Sequence, residues 1–378
     1  MNILFISHEA TRSGAPLALL YLLKVLKSKT PDITFTVLLL NGGPLTSDFQ
    51  HLCPVITLPG RPWKIQHLFK QDTMRDRLAI RLLLFHLKRQ HFELIYANTM
   101  DTLATAISLK RHLSIPLLLH THEAFINQCS LNTPRSWIRA CDRFIAVSPM
   151  AQQCLTDLGA DASKINTVFP TSAFTERLLA EKDAPQAIYK SISKTVIGFV
   201  GSFLNRKGAD LLPIVMKRLH DIHPNFDFEI QSVGNFRDIE RKRVEYDIRR
   251  LGLADRLRFI APLADPISVF TDMDMLLVLS REESFSLVVA EFGLLGKPVI
   301  LFDGSCGVQY FLKNEQNAII VPYLDIDGIV EAIYRLSQDR ERCRQLGENL
   351  RNVMRNHYLQ TDTNEEIIKI LSSLDSSD

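Results

Sequence analysis

Two carboxylates, Glu283 and Glu291, lie eight positions apart where an apolar strand ending at Leu279 gives way to an apolar helix. The helix is expected to start near Phe285 and to run to about Leu295. Glu283 then sits at the lip of the loop, and Glu291 two turns inside, among Val288, Val289, Ala290, Phe292 and Leu294. A carboxylate in such company is costly unless it is paired or hydrogen-bonded, and ribose hydroxyls would be suitable donors. The N–H groups of Ser286 and Leu287, at the helix start, face where a phosphate could sit. A second loop, Gly201-Ser-Phe-Leu-Asn-Arg-Lys-Gly208, also follows a strand and opens a helix. Gly201 lets the chain turn and Gly208 admits a close approach. Arg206 and Lys207 would project at the helix N-terminus, and two cations there fit a diphosphate. A solvated turn with two surface charges fits this loop equally well. The segment is neither a P-loop nor a G-x-G-x-x-G turn. Asp272-Met-Asp274 precedes a buried strand and reads as a helix end and turn, not a metal site.

Loops of this kind need strands to present them. Short apolar runs alternate with amphipathic stretches along most of the chain. The first series of strands is Asn2–Ile6, Ile33–Leu40, Val55–Leu58, Leu94–Ala97, Leu117–His120, Phe144–Val147 and Asn166–Phe169. Helical patterns lie between them, at Ala15–Ser28, Thr73–Gln90, Leu103–His112 and Met150–Leu158. The runs are continuously apolar, as in parallel strands covered by helices on both faces. The pattern weakens over 171–194 and then restarts with Thr195–Val200, Asp227–Val233, Leu257–Ala261, Met275–Leu279, Val299–Phe302 and Ala318–Pro322. Two successive series imply an α/β protein with two doubly wound, Rossmann-like domains. The expected division is 1–172, a linker at 173–194, and 195–357, with a last helix at about 358–378 that could return to the first domain. Ligands bind beyond the carboxyl ends of such strands, so the cleft between the domains is the expected site.

Composition narrows the function classes. The formal charge is +2, which excludes nucleic-acid binding driven by bulk charge. Hydrophobic residues make up 46% and charged ones 23%, so the chain is neither disordered nor in need of staples. The cysteines at 53, 129, 141, 154, 306 and 343 form no C-x-x-C pair, and they read as reduced residues of a cytoplasmic protein. The N-terminus reads as a first strand rather than a signal peptide. No apolar run reaches the ~18 residues of a membrane span.

Glu283-x₇-Glu291 followed by Gly-Lys-Pro-Val-Ile resembles the signature of the family 4 retaining glycosyltransferases (glycosyl transferases group 1), which have the two-domain GT-B fold. Phe199-Val-Gly-Ser-Phe-Leu-Asn-Arg-Lys-Gly-Ala-Asp-Leu-Leu212 is similar to the family's V-G-R-L-x-x-x-K-G-x-D-L-L segment. Phe144-Ile-Ala-Val-Ser-Pro149 and Asn317-Ala-Ile-Ile-Val-Pro322 are similar to its I-A-V-S and N-G-L-L-V-P segments. The order and spacing of these segments carry the resemblance over most of the chain.

The resemblance implies a retaining, metal-independent enzyme that takes a sugar from a nucleotide-sugar donor to a glycan, lipid-linked or other hydroxyl acceptor, as in cell-surface polysaccharide or glycolipid synthesis. It needs no cofactor. Glu283 would touch the transferred sugar, Glu291 the ribose, and Phe285 to Leu287 the diphosphate or sugar. Lys207 matches the phosphate-binding lysine. Ser202 stands where the family has an arginine, a charge that Arg206 could replace. Leu119-His-Thr-His-Glu123 resembles a strand-end T-x-H-D/E segment. His122 is the better match and His120 the alternate, able to donate to a sugar hydroxyl or to help the diphosphate leave. Without the family, a histidine satisfied within the core is the commoner reading. The loop from Ser7 through Ser13 and Gly14 resembles the small-residue loop after the first strand, with Gly14 allowing approach to the donor phosphate or acceptor. Departures occur at Pro170-Thr-Ser-Ala-Phe174, where the family has P-N-G-I-D, and at Tyr310, in place of a common carboxylate.

Residues 61–91 hold eight Lys or Arg against two Asp, with Trp63, Phe69 and Leu82–Phe85 interleaved. Two readings stand: an amphipathic face for anionic lipid or a lipid-linked acceptor at the cytoplasmic membrane surface, or a solvated helix packed on the sheet. For the whole chain, the alternatives to transfer are a non-catalytic sugar-nucleotide or glycan-binding subunit and a nucleotide-sugar epimerase.

Overall fold

The computed structural model describes residues 1–58, 83–123, 135–180, 194–234, 238–261, 263 and 265–375. The chain forms two compact units, Met1–Ser172 with Asp362–Asp378, and Ala173–Thr361. Much of the basic 61–91 segment, and Cys129, lie outside the described residues.

In the first unit the described strands are β1 (Asn2–Ser7), β2 (Thr34–Leu39), β3 (Val55–Thr57), β4 (Leu94–Ala97), β5 (Leu117–Thr121), β6 (Arg143–Ala146) and β7 (Ile165–Thr167). They form one parallel sheet in the order β3-β2-β1-β4-β5-β6-β7. Ile3, Leu4, Phe5 and Ile6 of β1 are wholly buried, as a central strand covered on both faces must be. One cover is the helix Gly14–Lys29, which buries Leu19, Leu20, Leu22, Leu23 and Leu26.

The second unit repeats the plan with β8 (Thr195–Val200), β9 (Phe228–Val233), β10 (Leu257–Ile260), β11 (Met275–Val278), β12 (Val299–Phe302) and β13 (Ile319–Val321), in the order β10-β9-β8-β11-β12-β13. Each sheet reverses its winding once, between β1 and β4 and between β8 and β11. Such a reversal opens a crevice at the carboxyl ends of the two strands. The loops after β8 and β11 are the two that carry Lys207 and Glu283.

The expected boundaries shift in two places. The segment 173–194 is not a bare linker: Ala173–Ala180 is a helix that packs within the second unit, against the helices Leu287–Leu294 and Arg340–Gln360. Its Thr175 and Leu178 are buried, which supplies the apolar contact that fixes it. Residues 181–193 lie outside the described residues. At the other end, the helix Arg340–Gln360 continues past 357 because Tyr358 is buried in the second unit. The chain then returns through the helix Thr363–Asp375, whose Ile367 and Leu371 join the core of the first unit. Lys29 pairs with Asp362 at 2.9 Å, and Thr363 donates to the Phe169 carbonyl at 2.9 Å.

Candidate functional site

The loop after β8 is shaped by its glycines. Gly208 has φ +72, and a Cβ there would lie 2.0 Å from the Leu279 carbonyl oxygen, so the loop backbone rests directly on the end of the β11 segment. The expected placement of Arg206 and Lys207 at the start of a long helix is not met. Asn205–Lys207 is a separate turn, Ala209–Leu211 is another, and the helix proper is Leu212–Ile222. The two cations are therefore presented by a tight turn and not by a helix terminus. Arg206 is exposed, Ser202 half-buried, and Lys207 folds back so that its side chain passes Gly201.

Lys207 Nζ donates to Glu283 Oε1, which also accepts from Ser280 Oγ at 2.6 Å. The Ser286 hydroxyl donates to the same carboxylate. Burial pushes the Glu283 carboxyl up, but the Lys207 cation and these donors outweigh it and hold the group below the usual carboxylate range. Glu283 is thus ionised at neutral pH and 6% exposed, a charge kept inside only by its partners. Its backbone is fixed as well, its N–H donating to Ser305 at 2.7 Å and its carbonyl accepting from Gly307 at 2.9 Å. A small cavity of about 10 Å³ opens here, lined by Lys207, Ser280, Glu283, Ser286 and Val288 among others.

The helix after this loop starts later than expected, at Leu287, with Ser286 as its N-cap. Ser286 has φ +81, a left-handed conformation that costs a non-glycine residue energy and persists where surrounding contacts impose it. The first N–H groups of the helix, from Leu287 on, lack intrahelical partners and suit an anion. Phe285 is 3% exposed and its side chain packs edge-on against Phe311, so the ring anchors the loop. Glu291 is half-buried within the helix and does not line the cavity beside Glu283. It lies near Tyr358, whose phenol is pushed up by burial and then by the Glu291 and Glu176 carboxylates. Tyr310 is 67% exposed and stacks edge-on with Phe311. Asp274 accepts from the Val196 N–H at 2.8 Å, in keeping with the turn reading of Asp272-Met-Asp274.

In the first unit, β5 carries His120 and delivers His122 just beyond its end. His120 is buried, with Nδ1 bonded to the Tyr96 hydroxyl at 2.5 Å. His122 lies over it, ring centroids 4.2 Å apart, with Nε2 3.1 Å from Asn98 Oδ1. The Asn98 amide donates its Nδ2 to the Ala15 carbonyl, so its oxygen faces His122 and Nε2 carries the proton. Burial, then the neighbouring His8, lowers His122 to about 3. At neutral pH it is an uncharged hydrogen-bonding ring and not a reserve of acid. Glu123 accepts from the N–H groups of Met100 and His122 and from the Thr121 hydroxyl, yet burial and Asp101 raise it to about 7. Ser13 turns its hydroxyl to Thr11 and Glu9 instead of capping the helix, and Gly14 begins that helix facing open space.

These two shifts have opposite consequences for stability. His122 falls from 6.5 to about 3 on folding, so its contribution is lost as pH drops below 6.5. Glu123 rises from 4.5 to about 7, so its unfavourable contribution grows as pH rises from 4.5 towards 7. Between pH 7 and 5 they offset each other. Glu123→Gln should therefore remove the compensation, so that acidification from pH 7 to pH 5 costs the variant about 2 kcal/mol more than wild type; the buried His120, also lowered, weakens both proteins alike. Melting temperatures of both proteins across this range check it; parallel curves would sink it.

Sequence reasoning did not single out Ser280, which holds Glu283, or Asn98, which holds His122. Their position, directly after or within two residues of a strand end at a winding reversal, was the available signal.

The family described as Glycosyl transferases group 1 matches residues 181–353, and that described as Glycosyltransferase Family 4 matches 14–170. A 41.2 kDa protein in the cps region of Klebsiella pneumoniae is 29% identical over 229 residues, 58% of this chain and 60% of that protein. The D-inositol 3-phosphate glycosyltransferase of Nocardia farcinica is 25% identical over 217 residues, 56% of this chain and 48% of the relative. The matches thus span about half of these curated relatives' length. The HepE protein of Anabaena, solved in complex with UDP and glucose, has the same fold, with TM-score 0.77, 20% identity and coverage of 98% of this chain and 99% of that one. Among the described residues no helix is long and apolar enough to cross a membrane. With both units matched and the fold of the whole shared, the chain belongs to the group 1, family 4-like glycosyltransferases of the GT-B fold.

Proposed function

We propose that the chain transfers a sugar from a nucleoside-diphosphate sugar to a hydroxyl acceptor, with retention at the anomeric carbon and without a metal. The observation that carries this is the Lys207–Glu283 pair with Ser280 and Ser286, set at the winding reversal of the second sheet. A donor diphosphate would take up Lys207 and the N–H groups at Ser286 and Leu287, with Arg206, Gly201 and Ser202 along the same loop. Glu283, released from Lys207, would hold a hydroxyl of the transferred sugar, and Glu291 the ribose. The bond from the anomeric carbon to the diphosphate breaks, the acceptor oxygen bonds that carbon, and its proton leaves with the phosphate. Charge builds on the departing diphosphate, where a fixed cation and backbone donors act most strongly. His122, uncharged, would hydrogen-bond the sugar. The solved relative that holds UDP and glucose supports a nucleotide-sugar donor.

The acceptor reading is a glycan or lipid-linked hydroxyl, in polysaccharide or glycolipid synthesis, with the protein cytoplasmic and residues 61–91 at an anionic membrane surface. Segment 59–82, with Arg75, Arg77 and Arg81, lies outside the described residues.

A panel of nucleotide sugars read by thermal shift tests the core of the proposal. One donor at about 100 times its Kd should add about 2.7 kcal/mol. That gain should vanish in Glu291→Ala and persist in EDTA, and the product should keep the donor's anomeric configuration by NMR. Stabilisation by none of the donors would overturn the reading. Co-sedimentation with anionic liposomes tests the membrane part.

A further inference from the structure

We propose that Arg281 and Asp210 form a clamp that ties the loop after β8 to the loop after β11, which makes them positioning residues for the donor diphosphate. The inference rests on the reading of Lys207 as the diphosphate-binding cation, and names what holds that cation in place.

Lys207 and Glu283 come from separate loops, and the Glu283 backbone is held by Ser305 and Gly307. Asn205–Lys207 is a single turn of three residues. The Gly208 N–H closes it on the Asn205 carbonyl at 2.9 Å, and further donors come from the loop after β11. The Arg281 N–H donates to the Arg206 carbonyl at 2.8 Å, and Arg281 Nη1 donates to the Asn205 carbonyl. The guanidinium then closes on Asp210 with two parallel bonds, both 2.8 Å. Arg281 therefore grips the turn ahead of Lys207 by its backbone and the turn after Gly208 by a side chain. Lys207 lies between the two grips. Arg281 is itself two residues before Glu283, so the clamp sets cation and carboxylate against each other from behind.

Two details separate this from an ordinary surface ion pair. The Arg281 side chain is only 24% exposed, although Asp210 is 46% exposed. The geometry also uses the planar fork of arginine, which lysine cannot reproduce. An exposed pair with one bond would be worth little. Here the same guanidinium joins a carboxylate and a carbonyl, and its main chain joins another. Neither Arg281 nor Asp210 belongs to the cavity lining beside Glu283, so neither need touch the ligand to matter.

The test uses the full chain with Arg281→Lys, Asp210→Asn and the double substitution. Two readouts are compared: amide hydrogen exchange of residues 203–209 without ligand, and calorimetric affinity for UDP, GDP and ADP against their nucleosides. Each single substitution should speed exchange at 203–209 by about fivefold and lower diphosphate affinity by about tenfold, leaving nucleoside affinity within about twofold. Because Asp210 acts on the turn through Arg281, the double substitution should cost no more than the worse single. Unchanged exchange, or equal losses for diphosphate and nucleoside, would overturn the clamp. If wild type binds none of the three diphosphates, the donor reading fails. Exchange then decides alone: acceleration confined to 203–209 upholds the clamp as the holder of Lys207, and wild-type rates overturn it.

Discussion

Glu283→Gln is expected to lower kcat/KM for sugar transfer by about 10³-fold, the scale seen when one preorganised electrostatic contact is lost from an active site. The amide keeps the volume and can still accept from Ser280. It cannot balance Lys207, whose ammonium is then held among half-buried atoms without its counter-charge. Melting should fall as well, because removing one partner of a buried pair leaves the other uncompensated, at a cost of roughly 3 kcal/mol. Glutamine is preferable to alanine for this reason, since a cavity would add its own penalty. The informative combination is a protein that folds, binds the nucleoside diphosphate and does not transfer. Turnover within about threefold of wild type would remove Glu283 from the reaction.

Gly208→Ala should be the most damaging small substitution in the donor loop. Two costs are combined there and can be separated. Gly208 and Gly252 have nearly the same backbone, φ +72 and +73, but a Cβ at Gly252 meets nothing within 4 Å. Gly252→Ala should therefore cost only the left-handed penalty, about 1–2 kcal/mol. Gly208→Ala adds a collision with the Leu279 carbonyl, and backbone cannot swing aside as a side chain can. A total of about 4 kcal/mol or more, with loss of diphosphate binding, is expected. Thermal melts of the two variants side by side give the collision by difference. Equal losses would mean that the loop moves off β11 freely, and that the close approach does not hold Lys207.

The layers of the fold were readable because continuously apolar runs of this length have few other uses. Runs such as Val299–Phe302 and Leu94–Ala97 appear as strands with the ends expected, since solvated turns bound them sharply. Glu283 and Lys207 stood out for a related reason: charged residues in loops that follow buried strands need something to face, and here they face each other. What lay hidden depended on contacts between distant segments. The turn at Asn205–Lys207 exists because Gly208 presses on Leu279 and Arg281 caps its carbonyls, neither of which has a local signal. The packing of the Phe285 ring on Phe311, in the turn Gly307–Phe311, likewise has no local signal. Ala173–Ala180 looked like a weak pattern because eight residues give little periodicity, and its helix is settled by what it packs on.

The return of Thr363–Asp375 to the first unit bears on the order in which the protein can be made. A nascent chain leaves the ribosome from its N-terminus, and domains ordinarily fold in that order. Here Ile367 and Leu371 belong to the same core as Ile3, Phe5 and the leucines of Gly14–Lys29. That core stays open along one seam while the whole of the second unit is synthesised. The unit that starts first is thus completed last, and its unfinished face is exposed to chaperones for as long as the second takes to emerge.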